Sequence, residues 1–305
     1  MTKSPMTKFT LKDFQKTFSN DDVCLDYIRV KRYPERIDCP KCGKNSLFHH
    51  DNGKKSYSCD HCGFKISPTA GTIFHKSPTP LTIWFYAIYA MAQTRGGISA
   101  KAIQRETGVT YKTAWRMCKQ IRSMLSEDHN IFTGEVEMDE SYYGGEEKNK
   151  HANKKTAGAQ GRSTKSKVPV FGMVERGGNL VAETVENVQS KTIMPIVKES
   201  IEKGTQIYTD EFNAYNSLRS MGYQHGVVPH KEKIFVWGKA HTNTIEGFWS
   251  LSKNGIRGTY HAVSDKYLQH YLDEFSFRYN HRNDVTPMFL SFLSLAASPL
   301  RVQAE

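Results

Sequence analysis

The chain has 305 residues, enough for one large domain and one or two small ones. Its 42 Lys and Arg residues outnumber 31 Asp and Glu residues, and the formal charge of +11 favours a polyanionic partner, nucleic acid before an anionic membrane surface. A membrane span and a secretory signal peptide are both unexpected, because no apolar run in the sequence is long enough for either.

The N-terminal residues 8–30 predict one or two short helices whose apolar stripe is formed by Phe9, Leu11, Phe14 and Phe18. Two of the six cysteines, Cys24 and Cys118, stand alone, and we expect them to be packed thiols. The other four form two close pairs, which suits a reducing compartment and a metal site.

These pairs read CPKC at 39–42 and CDHC at 59–62, sixteen residues apart, and a glycine follows each pair. Two such knuckles place four thiolates around one tetrahedral ion, and Zn²⁺ suits four sulfur ligands. The predicted ligands are Cys39, Cys42, Cys59 and Cys62. Because four thiolates leave no open position, we expect a structural zinc ribbon and not a catalytic site.

The segment between the two pairs predicts a hairpin that turns at Asn52 and Gly53. His49, His50 and His61 are alternative ligands, but with four cysteines available we expect these side chains to face solvent.

Residues 81–125 predict helices. LTIWFYAIYAMAQ is apolar enough for a buried helix, and two further helices follow with a short turn at Thr107 and Gly108. This is the layout of a helix-turn-helix, whose second helix would enter the DNA major groove. The residues that would contact DNA are Thr110, Tyr111, Lys112, Thr113 and Arg116. A helical hairpin that binds nothing is the alternative.

From residue 133 onward, strands predominate and then alternate with helices, which indicates an α/β domain with a mixed sheet. We expect a strand that ends in an acidic turn at Asp139, a hairpin that turns at Gly177 and Gly178, and an amphipathic helix with Ser190 as its N-cap. A further strand would end at Asp210, and two helices would follow.

A basic loop at 148–167 carries seven Lys or Arg residues and no acid. It is either a solvated insertion without a partner or a segment that contacts phosphates near the active site, and we prefer the second interpretation. Lys154, Lys155 and Arg162 are the DNA contacts that we expect from it.

Three carboxylates from separate elements, Asp139, Asp210 and Glu246, would repel one another without a cation. Oxygen ligands favour Mg²⁺, or Mn²⁺ in its place, and two such ions support phosphodiester displacement. Lys253 lies two helical turns after Glu246, on the same face, where it can neutralise a DNA phosphate.

Other residues near the three carboxylates leave alternatives open. Glu140 or Glu211 could replace the neighbouring aspartate as a ligand, although neighbours in a strand point to opposite faces. His241 could support Glu246, and Asn243 could support it or act as a direct ligand.

The motifs VEMDESYYGG, YTDEFNAY, HTNTIEGFWSLSK, GTYH and YLDEFSFRYNHR, together with the cysteine pairs, resemble insertion-sequence transposases of the DDE type with an N-terminal zinc ribbon. The resemblance covers about Cys39 to Asn283. It implies an RNase H-like catalytic domain, with Asp139, Asp210 and Glu246 as metal ligands for two Mg²⁺ or Mn²⁺ ions and Lys253 as a further catalytic residue.

On this basis we expect a helical segment at 1–34, the zinc ribbon at 35–78, the helix-turn-helix at 79–130, the catalytic domain at 131–295 and a tail at 296–305. The expected activity is cleavage at the terminal inverted repeats and strand transfer into target DNA. We also expect at least a homodimer on DNA and a cytoplasmic, nucleoid-associated place in a bacterium or archaeon.

Two other functions compete with this one. A domesticated, non-catalytic DNA-binding regulator would need the ribbon and the helix-turn-helix but not the carboxylates. An RNase H-like nuclease or resolvase would use the same carboxylates without strand transfer.

Overall fold

The computed structural model describes residues 8–128, 131–145, 166–229, 232, 236 and 238–300. The chain forms two compact units, one of Met1–Leu125 with Asn283–Glu305 and one of Ser126–Arg282. None of the helices within the described ranges is both long and apolar enough to cross a membrane.

A small antiparallel sheet in the first unit surrounds the cysteine pairs. Its strands, in spatial order, are β1 (Arg36–Asp38), β2 (Asn45–His50), β3 (Tyr57–Cys59) and β4 (Lys65–Ile66). β2 and β3 form the predicted hairpin, with Phe48 opposite Cys59. The turn at Asn52 and Gly53 is confirmed: Lys54 N–H donates to Asp51 O at 2.9 Å, and Gly53 has a φ of +71° that favours glycine.

The helices of the first unit are α1 (Leu11–Thr17), α2 (Asp21–Arg32), α3 (Leu81–Gln93), α4 (Ala100–Thr107), α5 (Tyr111–Ser123) and α9 (Met288–Ala297). The two predicted N-terminal helices begin where Thr10 and Asn20 accept hydrogen bonds from the first turn of α1 and of α2. Phe14 and Phe18 are buried as predicted, whereas Leu11 is about half exposed, at 47%.

Helix α9 lies in the first unit, although the sequence placed it in the catalytic domain at 131–295. It packs against α2 and α3, and the Phe289 ring lies 5.0 Å from Phe9 and 5.8 Å from Phe14. The helix is apolar around most of its circumference, so its pattern does not indicate which of two cores it joins.

Helices α4 and α5 form the predicted helix-turn-helix. Gly108 ends α4 in the left-handed conformation, with φ of +72°, and Thr110 caps α5 by accepting a hydrogen bond from Thr113 N–H at 3.2 Å.

The second unit is built on a five-stranded sheet of β5 (Val136–Tyr143), β6 (Val168–Glu175), β7 (Leu180–Thr184), β8 (Gln206–Thr209) and β9 (Gln224–Val227). The spatial order is β7-β6-β5-β8-β9; β5, β6 and β7 pair antiparallel, while β8 and β9 run parallel to β5. The hairpin at Gly177 and Gly178 and the α/β class with a mixed sheet are confirmed.

Helices cover both faces of this sheet: α6 (Ser190–Ser200) lies on one face, and α7 (Asn243–Gly255) and α8 (Asp265–Asn280) lie on the other. Val136 and Met138 of β5 are buried on the α6 side. Because successive side chains of a strand alternate, Glu137 and Asp139 point to the α7 side. The sheet thus places Asp139 beside α7.

Three local predictions were wrong. Asp139 is the fourth of the eight residues of β5 and not the end of a strand; acidic residues are depleted in strands, so local preference favours a turn there. Ser190 is the first residue of α6, and the N-cap is Gln189. The sequence also predicts no strand between Asp210 and the next helix, where the structure has β9, because the sequence of β9, QHGV, has too little apolar pattern.

Candidate active site

The four cysteines of the ribbon converge as a metal site would require. Cys39 Sγ lies 3.6 Å from Cys62 Sγ, and Cys42 Sγ lies 4.0 Å from Cys59 Sγ. A tetrahedral Zn²⁺ with Zn–S bonds of ~2.3 Å separates its sulfur atoms by about 3.8 Å. All four residues therefore fit one structural zinc ion.

The two knuckles share one backbone geometry. Gly43 N–H donates to Cys39 O at 2.9 Å, Gly63 N–H donates to Cys59 O at 3.0 Å, and both glycines have a φ of +68°. The histidines do not join the four-sulfur cluster: His50 Nε2 lies 3.0 Å from Lys54 O, and His61 lies 3.6 Å from Asp60.

A second cluster lies where β8 ends beside β5. The parallel pairing joins Val136 to Ile207 and Glu137 to Tyr208, and β8 ends at Thr209. The next residue, Asp210, and the next part of β5 therefore lie at the same edge. Oxygen atoms of Asp139, Glu140 and Asp210 all lie within 4.8 Å of one another.

Glu140 joins this cluster although its strand position directs it to the other face of the sheet from Asp139. Its carboxylate is buried and accepts a hydrogen bond from Tyr215 Oη at 3.0 Å. Burial raises the pKa of Tyr215 well above its usual value, so the phenol keeps its proton and acts as the donor. Carboxylates from both faces of the sheet can meet here because β8 ends at Thr209 and no longer lies between them.

Asp139 carries the clearest electrostatic sign of a cation site. Burial, together with the charges of Glu140, Asp210 and Glu246, raises the pKa of its carboxyl to about 8. Trp249 of α7 donates its indole N–H to Asp139 Oδ2 at 3.1 Å. Carboxylates this close favour either a proton or a bound divalent cation.

Glu246 lies in the first turn of α7 and is exposed. Thr242 donates its hydroxyl to Glu246 Oε1 at 2.7 Å, and the three-carboxylate cluster does not include Glu246. Its charge nevertheless contributes to the raised pKa of Asp139. Lys253 lies further along α7, with Nζ 5.6 Å from the centre of the Tyr143 ring.

Sequence reasoning missed Glu137, which fixes the start of α7. It is fully buried, and its carboxylate accepts hydrogen bonds from Thr244 N–H at 2.8 Å and Ile245 N–H at 3.2 Å. Arg176 Nε also donates to it, at 2.8 Å. The available signal was an acid two residues before Asp139, on the same face of a strand.

The other residues that the sequence offers as ligands or supports lie outside the three-carboxylate cluster. His241 Nδ1 lies 3.0 Å from Glu137 Oε1, Asn243 is the exposed first residue of α7, and Glu211 lies outside the three-carboxylate cluster.

Residues 131–280 match the family model of the ISXO2-like transposase domain, and residues 19–64 match that of the transposase zinc-ribbon domain. The chain belongs to the ISXO2-like transposases. Its catalytic unit is thus RNase H-like, the molecule is a DNA transposase of the DDE type, and the ribbon's zinc is structural.

Two relatives agree with this assignment. The transposase is 26% identical over 273 residues to an uncharacterized protein in transposable element ISH50 of Halobacterium salinarum, which covers 86% of this chain and 92% of that protein. It is 29% identical over 96 residues to an uncharacterized transposase-like protein of Haemophilus influenzae, which covers 32% of this chain and 76% of that protein.

The helix-turn-helix of the transposase presents part of its predicted DNA contacts. Tyr111 and Lys112 are exposed at the start of α5, and Lys101 Nζ lies 4.9 Å from the centre of the Tyr111 ring. The Arg116 guanidinium instead lies against the unit itself, 3.2 Å from Ser77 Oγ and 5.7 Å from the centre of the Trp84 ring. Lys154, Lys155 and Arg162 lie outside the described residues.

Proposed function

We propose that this transposase cleaves the ends of its own insertion sequence and joins them to target DNA in a reaction that depends on divalent metal. The observation that carries the proposal is the convergence of Asp139, Glu140 and Asp210 beside the start of α7. Mg²⁺ or Mn²⁺ ions held there would activate water or a 3′-hydroxyl and stabilise the leaving oxygen.

The protein's own residues have three roles in this proposal. Asp139, Asp210 and Glu246 would hold the metal ions, and Glu246 would give up the hydrogen bond that it accepts from Thr242 to do so. Glu140 supports Asp139 and Asp210 from the opposite face and is a further candidate ligand. The Lys253 ammonium contacts a phosphate of the DNA, since it lies ~10 Å along α7 from Glu246 at 1.5 Å per residue.

DNA binding in this proposal is divided between the two units. The zinc ribbon and the exposed start of α5, with Thr110, Tyr111, Lys112 and Thr113, would bind the terminal inverted repeats, and Lys154, Lys155 and Arg162 would contact phosphates. Arg116 would act by holding α5 against Ser77 and Trp84. Because phosphate contacts release counterions, affinity should fall steeply with salt.

Two further points belong to the proposal. Joining two ends in one event requires at least a dimer on DNA. The thiolates of the zinc ribbon suit a reducing compartment, so we place the reaction in the cytoplasm at the nucleoid.

The test is a strand-transfer assay with full-length protein, a labelled duplex that carries the flanks of its gene, a supercoiled target plasmid and Mg²⁺. Asp139→Asn, Asp210→Asn and Glu246→Gln are compared with Glu186→Gln, which neutralises an exposed carboxylate before α6. We expect the joined product with the native protein and the control, and its loss in the three site variants while DNA binding persists.

Other outcomes select other functions. Cleavage without joining would indicate an RNase H-like nuclease or resolvase. Sequence-specific binding without Mg²⁺-dependent nicking would indicate a regulator. Unchanged cleavage in all three site variants would remove these carboxylates from the mechanism.

A further inference from the structure

A cavity of about 490 Å³ opens next to Lys253 in the second unit. One wall is the end of β5 with Gly144 and Gly145, and the other is the chain from Ile256 to Leu268. Its volume lies within the ~300–1,000 Å³ of pockets that enclose small molecules. The role proposed for the carboxylates does not use this space.

The backbone of the second wall is unusual at two successive places. Ile256–Tyr260 form a π-helix. This conformation is rare in proteins, and where it occurs it is often at a functional site. His261 follows with φ of 62° and ψ of −48°, and Ala262 N–H donates to Tyr260 O at 2.7 Å. This is the geometry of the strained form of the γ-turn. Strain of this kind persists only where the surroundings impose it, and it is concentrated at ligand sites.

Two groups of α8 hold the end of this π-helix in place. Glu274 is fully buried and accepts hydrogen bonds from Tyr260 Oη at 3.0 and 3.1 Å and from Arg278 at 2.6 Å. The Tyr260 ring packs edge-on against Tyr271, with the ring centres 4.7 Å apart. The wall is therefore preformed, and a ligand would not have to order it.

The lining combines cationic, apolar and acidic groups. Lys253, Arg257 and His261 supply the basic side, and Ile256, Val263 and Leu268 supply the apolar side. Asp265 adds a hydrogen-bond acceptor. A phosphate alone needs neither this volume nor an apolar surface, whereas a nucleotide needs an anion site, an apolar surface for its base and polar partners for the base edge.

The cavity lies close to the place where the carboxylates would act on a DNA strand. Lys253 lies ~10 Å from Glu246 along α7, and successive phosphates of one strand are ~3.4 Å apart along a duplex axis. A DNA strand that follows α7 from Glu246 to Lys253 would place the cavity within about three nucleotides of the reacting phosphate. Bases of an intact duplex are stacked inside it, so only a displaced nucleotide can enter.

We propose that this cavity holds one nucleotide of the transposon end, displaced from its base pair close to the phosphate at the carboxylates. The proposal rests on the proposed function, because it names a part of the DNA substrate of the same site. Arg257 and Lys253 bind its phosphates, and its base lies between the wall at Ala262 and the end of β5.

The experiment measures base displacement and requires no cleavage. Full-length protein is mixed without Mg²⁺ with duplexes that carry the flanks of its gene and 2-aminopurine at successive positions near the end. Fluorescence anisotropy confirms that each duplex is bound. We expect the 2-aminopurine signal to rise several-fold at one position, and a duplex with an unpaired nucleotide there to bind about tenfold more tightly, since the cost of unpairing is removed.

Variants test whether this cavity is responsible. Arg257→Ala removes a charge, and Ala262→Trp fills the cavity from an exposed position, so neither change disturbs a core. Both should abolish the rise and the preference for an unpaired nucleotide. Lys266→Ala, which removes an exposed charge outside the cavity, should retain both, and thermal unfolding checks that all variants are folded.

A bound duplex with no rise at any position, or a rise that Ala262→Trp retains, would overturn the proposal. The outcome is separable from that of the proposed function. A position-dependent rise in 2-aminopurine fluorescence without strand transfer would support the nucleotide cavity and contradict the proposed catalysis. Strand transfer without that rise would support the catalysis and contradict the nucleotide cavity.

Discussion

Glu137 joins the strand of Asp139 to the helix of Glu246, with its Oε2 2.8 Å from Thr244 N. The same carboxylate accepts from Arg176, whose guanidinium lies 4.1 Å from the centre of the Tyr208 ring on β8. One buried carboxylate thus connects the strand of Asp139 with the helix of Glu246 and, through Arg176, reaches β8, which ends just before Asp210.

We expect Glu137→Gln to lower the free energy of unfolding by ~3–5 kcal/mol, because the amide removes a fully buried charge that the partly buried Arg176 guanidinium and two helix N–H groups require. DNA cleavage should fall further than DNA binding, since Glu246 is displaced. Urea unfolding and cleavage assays measure the two effects.

Glu135→Gln is the matched control, because it removes a partly exposed partner of the same Arg176. It should cost less than ~1 kcal/mol. Equal losses in the two variants would contradict the anchoring role of Glu137.

The raised pKa of Asp139 predicts that the stability of the metal-free protein decreases as pH rises, the opposite of the usual effect of a carboxyl group. Its folded pKa of about 8 exceeds the ordinary carboxyl value of 3.8, so the folded state binds more protons between these pH values. The free energy of unfolding of the metal-free protein should therefore decrease as pH rises from ~4 to ~8. Asp139→Asn should be the more stable protein at pH 8 by ~1–3 kcal/mol, with little difference near pH 4.

Mg²⁺ should reverse this order at pH 8 by stabilising the native protein and not the variant. Unfolding at both pH values, with and without Mg²⁺, tests the prediction beside Glu186→Gln as the control. Identical stabilities of native protein and Asp139→Asn at pH 8 would contradict the prediction that the ionised Asp139 carboxylate destabilises the metal-free fold.

Gly172 lies opposite Asp139 on β6 and allows α7 to approach the sheet. A Cβ at this position would lie 2.5 Å from Trp249 Cζ2 and 3.0 Å from Ile245 Cδ1. We expect Gly172→Ala to cost ~1–3 kcal/mol of stability and to lower cleavage, because α7 must move away from Asp139.

Gly247→Ala is the comparison for Gly172→Ala, since its Cβ would have no atom within 4 Å and it lies in α7. It should be neutral or stabilising by up to ~1 kcal/mol. Thermal unfolding distinguishes the pair, and an equal effect in both would exclude close packing as the cause.

The zinc ribbon should fold only with its metal. Cys42→Ser is expected to reduce bound zinc from one ion per chain to a trace and to increase proteolysis within residues 36–66. Cys24→Ala should retain the zinc, because Cys24 is buried in α2 and burial raises the pKa of its thiol to about 12. Zinc retained in Cys42→Ser would contradict the four-cysteine site.

Local spacing in the sequence was sufficient for several elements. The two cysteine knuckles, the turn at Asn52 and Gly53, the helix-turn-helix and the position of Asp210 after a strand depend on residues near one another in the chain. The physical preferences of thiolates, glycines and N-caps act over a few residues, so they can be read directly.

The placement of groups that are distant in the chain depends on long-range packing. Glu140 contributes to the carboxylate cluster because β8 ends beside it, Glu137 anchors a helix more than a hundred residues later, and α9 joins the first unit. Burial and long-range pairing determine these roles. A residue's spacing to its neighbours carries no record of which strand ends beside it or which helix lies above it.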